Sequence, residues 1–244
     1  MTKRVTSIAT IYTVNLQHGH DEQTFRQVLE YLPYDVRNKV AKYRLEQDAR
    51  REMASAVLKR IIACEINGIE LREADFLRDG FGKPSLKGFP DFHFNVSHAM
   101  DWVVCAVSAE GPIGVDIEKV GEAEPEVAQL CFSPKELAEW NEQPGHLRNE
   151  FFYELWTLKE SYVKAIGKGL SLDFSSFEKV KTGDENYISH QGVIDPELYV
   201  RSISFAIDYK LAACLSIEDR YIDFQKYTLA EIISRFMELI DREM

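Results

Sequence analysis

No apolar run in this chain reaches the roughly 18 residues that a membrane-spanning helix needs, which removes a helical membrane protein from consideration. The opening MTKRVTSIATIYTV mixes β-branched residues (Val5, Ile8, Ile11, Val14) with threonines, which suits a strand better than a signal peptide, so the chain reads as cytoplasmic. Positive charge is in deficit: 29 basic against 40 acidic residues give −11, which argues against bulk attraction to nucleic acid or to an anionic membrane. A local basic pocket for a small phosphorylated ligand is untouched by that sum. Cysteine is scarce and unpaired in pattern. Cys64, Cys105, Cys131 and Cys214 form no CxxC and sit in largely apolar contexts, which predicts buried reduced thiols and no zinc site.

What is present is enough for a sizeable core. The 244 residues, 45% of them hydrophobic, fit one large domain or two intimately packed halves of roughly 110–120 residues each. A first strand is expected over 7–14, helices over 24–31 and 35–43, and a stronger helix over 47–67. In that last helix Ala54, Val57, Leu58, Ile61, Ile62 and Ile66 share one stripe and Gly68 terminates. After a glycine- and proline-rich loop, 92–96 and 102–108 read as a hairpin and 112–118 as a buried strand. Helices over 125–131, 134–142 and 148–166 follow, with Ser133 and Glu136 in the capping-box spacing. Strands near 177–182, 199–208, 211–216 and 221–227 precede a last helix capped by Thr228.

This order echoes itself. The helix DARREMASAVLKRIIACEI leads to FGKP and strands ending DWVVCAVS; FYELWTLKESYVKAI leads to IGKG and strands ending DYKLAACLS. The repetition suggests an α+β pseudo-dimer of two similar halves, 1–112 and 113–244, related by a pseudo-twofold axis with a ligand cleft between them.

Three segments carry the chemistry. In a strand, GVDIE places Asp116 and Glu118 on one face and Val115 and Ile117 on the other. Two adjacent carboxylates are either solvated acids at a strand edge or oxygen ligands for a hard cation with substrate phosphates. Glu160 and Lys164 share a helix face, as a surface ion pair or as a metal ligand and a phosphate-neutralising cation, and Trp156 and the Gly167–Gly169 exit favour the second. FNVSH offers the Ser97 hydroxyl and the His98 imidazole to phosphate, or His98 serves only its turn. A Ser-His hydrolase is disfavoured, because adjacent strand residues face opposite ways and no GxSxG is present. Arg37, Lys39, Lys42, Arg44, Arg50, Arg51 and Lys83 cluster ahead of these strands, as helix surface or as a polyphosphate grip.

Together the DARRE helix, FGKP, FNVSH, GVDIE, FSPKE and FYELWTLKESYVKAIGKGLSL, in this order along nearly the whole chain, resemble the 4′-phosphopantetheinyl transferase superfamily of the surfactin-synthetase-activating type. Ala99 departs from relatives that carry a second serine after the histidine. The resemblance implies coenzyme A bound between the halves and transfer of its phosphopantetheine arm to a serine of an acyl or peptidyl carrier protein, with release of 3′,5′-ADP. It implies that Asp116, Glu118 and Glu160 hold Mg²⁺, that Arg51 meets the 3′-phosphate, and that Gly82, Lys83 and Pro84 line the adenine side. Ser97, His98 and Lys164 would contact the phosphates, with Glu160 as the base, directly or through a water. The carrier belongs to fatty-acid, polyketide or nonribosomal-peptide synthesis, and Leu130, Phe132 and Leu137 form a candidate docking surface. The duplication favours a monomer. Two other classes are weighed: a coenzyme A or nucleotide binding module, which would not need Glu160 beside Asp116 and Glu118, and a metal-dependent phosphohydrolase, which would want more histidine and aspartate ligands than this chain offers.

Overall fold

The computed structural model describes residues 8–17, 22–219 and 221–244. The strand expected to begin at residue 7 starts outside them.

The first half opens with β1 (Ile8–Asn15), α1 (Glu22–Tyr31), α2 (Tyr34–Val40) and α3 (Glu46–Asn67). It continues through the small hairpin β2 (Phe76–Arg78) and β3 (Pro84–Leu86) into β4 (His93–Ala99) and β5 (Trp102–Ser108). The second half runs through β6 (Gly114–Lys119), α4 (Pro125–Cys131), α5 (Pro134–Glu142) and α6 (Gly145–Ile166). It ends with β7 (Phe177–Thr182), β8 (Glu185–His190), β9 (Val193–Ile194), β10 (Leu198–Ile203), β11 (Tyr209–Ser216), β12 (Tyr221–Thr228) and α7 (Leu229–Glu243). The expected α+β fold of two corresponding halves is what forms. Each half is built on one 22-residue helix laid against a sheet, and each helix stops at a left-handed glycine, Gly68 (φ 65°) and Gly167 (φ 71°), where other residues are strained.

One sheet has the order β12-β1-β5-β4 and the other β6-β11-β10-β8-β7, with β9 on β8. Alternation along the strands sorts side chains into layers. Val14, Val103, Cys105 and Val107 pack under α1, α2, α3 and α7. Ala9, Ile11, Val104 and Ala106 face Val115, Ile117, Leu211, Ala213 and Leu215 of the other sheet. Ala212 and Cys214 turn to α6. The layers are therefore helices, sheet, sheet, helices, with both sheets burying an apolar face in the middle.

The tail crosses between halves. β12 pairs in parallel with β1, Ile8 opposite Tyr221 through Asn15 opposite Thr228, and α7 places Leu229, Ile232, Phe236 and Ile240 in the core under α3. β8 and β9 were not foreseen from the sequence, the strand expected over 199–208 ends at Ile203, and Ile66 is half exposed at the end of its helix rather than on the buried stripe. All four cysteines are free thiols, three of them buried and Cys131 partly so. No helix among the described residues is long and apolar enough to cross a membrane.

Candidate active site

The two sheets meet at the edges of β4 and β6, and side chains take the place of a backbone ladder there. Asn95 Oδ1 accepts from the Val115 amide at 3.0 Å, and Ser97 Oγ accepts from the Ile117 amide at 3.4 Å. Gly114 lets β6 approach α6: a Cβ at that position would lie 1.9 Å from the Ser161 carbonyl oxygen, a distance no side chain can occupy. The close approach brings the acidic face of β6 under α6.

Asp116 is 3% exposed. Its Oδ1 accepts from Lys164 Nζ at 2.5 Å and from Ser97 Oγ at 2.9 Å, and Lys164 also reaches Ser97 Oγ at 3.1 Å. Its Oδ2 is buried with no hydrogen-bond partner, a costly condition for an ionised oxygen. Glu118 lies two residues along the same strand face. Burial first and the Asp116 charge second push its carboxyl up to about 7, against the pull of Lys164 and the Trp156 indole. Trp156 is fixed by stacking on Phe152 and Phe174, with ring centroids 6.2 and 5.5 Å away. Glu160, one turn before Lys164 on α6, is also raised by burial, pulled back by Lys164 and pushed further by Asp116. Three carboxylates thus share one neighbourhood with a single ammonium.

Among the described residues, no three Asp, Glu, His or Cys side chains converge as a ready-made metal-ligand set. The expected trio of Asp116, Glu118 and Glu160 is therefore close but not gathered. Lys164 supplies the counter-charge at Asp116 Oδ1. The chemistry of the group still fits a hard divalent cation: all the donors are oxygen, one buried oxygen has no partner, and two further carboxylates hold protons unusually well.

Beside this cluster lies a cleft of about 290 Å³ between the halves. Gly82, Lys83, Pro84 and His98 line it from the first half, Lys164, Gly167 and Gly169 from the second. Gly82 is left-handed (φ 87°) at the hairpin turn. Lys83 reaches across to donate to the Ala165 carbonyl oxygen at the end of α6, where a cation complements the helix dipole. His98 is open at the cleft, yet loss of solvation and the charges of Arg51 and Lys164 pull its pKa below the ordinary histidine range. The free site therefore presents a neutral imidazole.

Two expected residues sit differently. β4 runs on to Ala99, so Ser97 and His98 face opposite ways, and Ser97 turns from the cleft toward Asp116. Arg51 donates to the Met100 carbonyl oxygen at 2.8 Å and pairs with Asp48 beside His98, without lining the cleft. Of the remaining basic cluster only Lys39 lines it, paired with Glu52 at 2.6 Å. Sequence reading missed Glu52, Ser55, Lys59 and Arg78, which also line the cleft. The available signal was Lys59–Arg60, a pair of cations interrupting the most apolar part of α3. Of the docking candidates, Leu130 is 73% exposed while Phe132 is core and Leu137 packs against the same cluster.

Comparison with known proteins identifies the family. Residues 112–214 match the profile of the 4′-phosphopantetheinyl transferase superfamily, and residues 20–110 match that of the 4′-phosphopantetheinyl transferase N-terminal region. A 4′-phosphopantetheinyl transferase of Bacillus subtilis is 33% identical over 200 residues, which cover 82% of this chain and 88% of the relative. The 4′-phosphopantetheinyl transferase Sfp of Bacillus subtilis (strain 168) is 28% identical over 225 residues, covering 91% and 99%. A solved holo-(acyl-carrier-protein) synthase from Bacillus anthracis, in complex with CoA (3′,5′-ADP), is alike over 42% of this chain and 92% of its own, with a TM-score of 0.35 and 20% identity. On the identity and breadth of the match to the first relative, the chain belongs to the 4′-phosphopantetheinyl transferase superfamily.

Proposed function

We propose that this protein transfers the 4′-phosphopantetheine arm of coenzyme A to a serine of an acyl or peptidyl carrier protein, releasing 3′,5′-ADP. The observation that carries this reading is the buried Asp116, with one oxygen held by Lys164 and Ser97 and the other without a partner, at the side of a cleft that both halves line.

Asp116, Glu118 and Glu160 would hold Mg²⁺. A divalent cation there supplies charge neutralisation to the pyrophosphate and its leaving oxygen. Gly82, Lys83 and Pro84 bind the nucleotide side, and Lys164 and His98 face the phosphates. Arg51, whose charge helps to depress His98, would meet the 3′-phosphate by giving up its contacts to Asp48 and the Met100 carbonyl. Arriving phosphate favours the protonated imidazole, against the burial and the positive charges that depress it. In the reaction the carrier serine Oγ bonds to the β-phosphorus while the bond from that phosphorus to the bridging oxygen breaks. The electron pair leaves on 3′,5′-ADP. The serine proton passes to Glu160, directly or through a water. Lys164 stabilises the charge that develops on the leaving group.

Both halves of the cleft come from one chain, which supports a monomer, and four free thiols support the cytoplasm. The net charge of −11 works against long-range attraction to an acidic carrier, so docking rests on a local apolar contact, for which exposed Leu130 on α4 is the best-placed of the three residues.

The test is intact-mass spectrometry of an apo carrier protein incubated with this protein, coenzyme A and Mg²⁺. A gain of one phosphopantetheine arm that EDTA abolishes is expected. No gain across several carriers, despite coenzyme A binding, would favour a binding module. Pyrophosphate cleavage without any carrier would favour a phosphohydrolase.

A further inference from the structure

α3 carries two adjacent cations where its sequence is otherwise apolar: Lys59 and Arg60 follow Val57 and Leu58 and precede Ile61 and Ile62. Arg60 is 6% exposed. Its guanidinium donates to the Ala56 carbonyl oxygen of its own helix at 3.0 Å. The ion pairs among the described residues include neither Arg60 nor Lys59. Both cations lie on the Phe76 ring, Lys59 Nζ at 4.7 Å and Arg60 Cζ at 5.4 Å from its centroid. Burial brings Lys59 down to about 8, with the charges of Arg60 and Arg78 adding to the effect.

These two cations line a chamber of about 730 Å³ bounded by α2, α3, the β2–β3 hairpin and the end of α7. Leu32, Val36, Phe76, Phe236 and Ile240 form its apolar wall. Most of its charged lining is already engaged. Glu52 holds Lys39 at 2.6 Å, Asp75 holds Lys87 at 3.2 Å, and Glu243 accepts from the Leu71 amide. Arg72 pairs with Glu70, and Arg78 donates to the Gly82 carbonyl oxygen at 2.9 Å. Asp35 remains, and its charge, with those of Cys64 and Asp75, offsets only part of what burial costs Arg60. A buried guanidinium with no carboxylate in ion-pair contact is expensive, and the donors it does not spend on Ala56, beside an apolar wall, are complementary to an anion with an apolar body.

We propose that this chamber binds a small organic monocarboxylate, its carboxylate on Arg60 and its apolar body, aryl or medium-chain alkyl, against Phe76, Phe236 and Ile240. Inorganic phosphate could meet the guanidinium but would leave that wall bare, so it should bind far more weakly and serves as the control. The chamber shares Lys39, Glu52, Lys59, Arg78 and Pro84 with the nucleotide cleft. An anion inside it subtracts from the positive charge that Lys59 offers the cleft, so each ligand weakens the other by the same factor. The site itself does not rest on the transferase reading.

The experiment is calorimetric titration of the whole protein with 4-phenylbutyrate, alone, with excess inorganic phosphate, and with 3′,5′-ADP bound. Saturable binding at one per chain is expected, undisplaced by phosphate and weakened but not abolished by 3′,5′-ADP. Arg60→Met keeps the side-chain bulk and removes the unpaired charge, and should weaken binding about tenfold or more. Should that variant fail to fold, Ile240→Trp, which fills the apolar wall, should abolish binding with Arg60 intact. Absence of saturation, unchanged affinity in both variants, or complete mutual exclusion with 3′,5′-ADP would overturn the proposal, the last by making the chamber part of the nucleotide cleft. Failure of the transferase reading would show separately, in the carrier assay run without phenylbutyrate.

Discussion

α6 holds two lysine-carboxylate contacts five residues apart, and they are built on opposite terms. Lys159 and Glu136 are 0% and 2% exposed and meet at 2.6 Å. Lys159 also donates to the Phe177 carbonyl oxygen at 2.7 Å. Glu136 accepts from the Ser133 amide at 2.9 Å, closing the capping box of α5, and from the Lys179 amide at 2.8 Å. Both carboxylate oxygens have donors, and the pair ties α5, α6 and β7 together. Lys164 and Asp116 meet at 2.5 Å, but there one carboxylate oxygen takes two donors and the other takes none. A saturated buried pair has nothing left to bind and serves the fold. An unsaturated one, open at a cleft and flanked by Glu118 and Glu160, keeps capacity for a ligand.

The sharpest way to test that division is to alter the unsaturated side. Glu160→Gln keeps shape and removes the base, so turnover should fall by about 10²–10⁴-fold while the melting temperature stays within a degree or so. Near-normal turnover, measured by carrier mass gain, would end the role given to Glu160. The saturated side should respond the other way round. Lys159→Met strands Glu136 in the interior and should cost about 3–5 kcal/mol of stability, read by urea unfolding. Replacing both partners by apolar residues should recover most of that loss. If Lys159→Met instead proved stable and inactive, Lys159 would belong with the site and the contrast would be wrong.

Gly114 joins the two regions, because it sets how closely β6 lies under α6. Gly114→Ala drives a methyl into the Ser161 carbonyl. It should cost about 1–3 kcal/mol and also lower turnover, since Asp116 and Lys164 move apart with their elements. Loss of stability with unchanged turnover would show that the site tolerates that displacement.

The carboxylates give the comparison a pH signature. Glu118 is raised from 4.5 to about 7, and Glu160 is raised too. A carboxyl that holds its proton more tightly folded than unfolded penalises the fold once the unfolded chain has released it. Without metal, stability should therefore fall as pH rises from about 4.5 toward 7 and level off above, and Mg²⁺ should reduce the fall by stabilising the ionised forms. Urea midpoints across that range with and without Mg²⁺ check this. Glu118→Gln should flatten the metal-free curve, and an unchanged slope would remove Glu118 from the cluster.

Much of this was legible in the sequence, because it followed from local periodicity. Alternation in GVDIE put Asp116 and Glu118 on one face, the four-residue spacing put Glu160 and Lys164 on another, and Ser133 with Glu136 capped a helix as read. What was hidden depended on partners distant in sequence. The parallel pairing of β12 with β1 joins strands more than 200 residues apart, and nothing in either strand names the other. Glu136 reads locally as a capping residue and only the fold reveals that it neutralises Lys159. β8, short and half polar, and the two-residue β9 lack any pattern to detect. Lys59 and Arg60 were visible as a break in an apolar stretch, but a break alone does not tell a cleft from a surface.

Ser97 gives the smallest effect and the finest distinction. The family resemblance assigns it to a phosphate, whereas the structure gives its hydroxyl to Asp116 and lets it receive Lys164 and the Ile117 amide. Ser97→Ala removes one bond across the β4–β6 seam and one donor from Asp116, at about 0.5–1.5 kcal/mol of stability. If Ser97 serves to hold Asp116 and Lys164, the dependence of rate on Mg²⁺ concentration should shift while the KM for coenzyme A stays in place. If it contacts phosphate, the KM for coenzyme A should rise and the Mg²⁺ dependence should not move. The first outcome extends the contrast drawn on α6 to β4, with His98 facing the ligand and its neighbour Ser97 facing the carboxylate. The second would mean that Ser97 exchanges partners when coenzyme A binds, and that the overloaded oxygen of Asp116 is a feature of the free site alone.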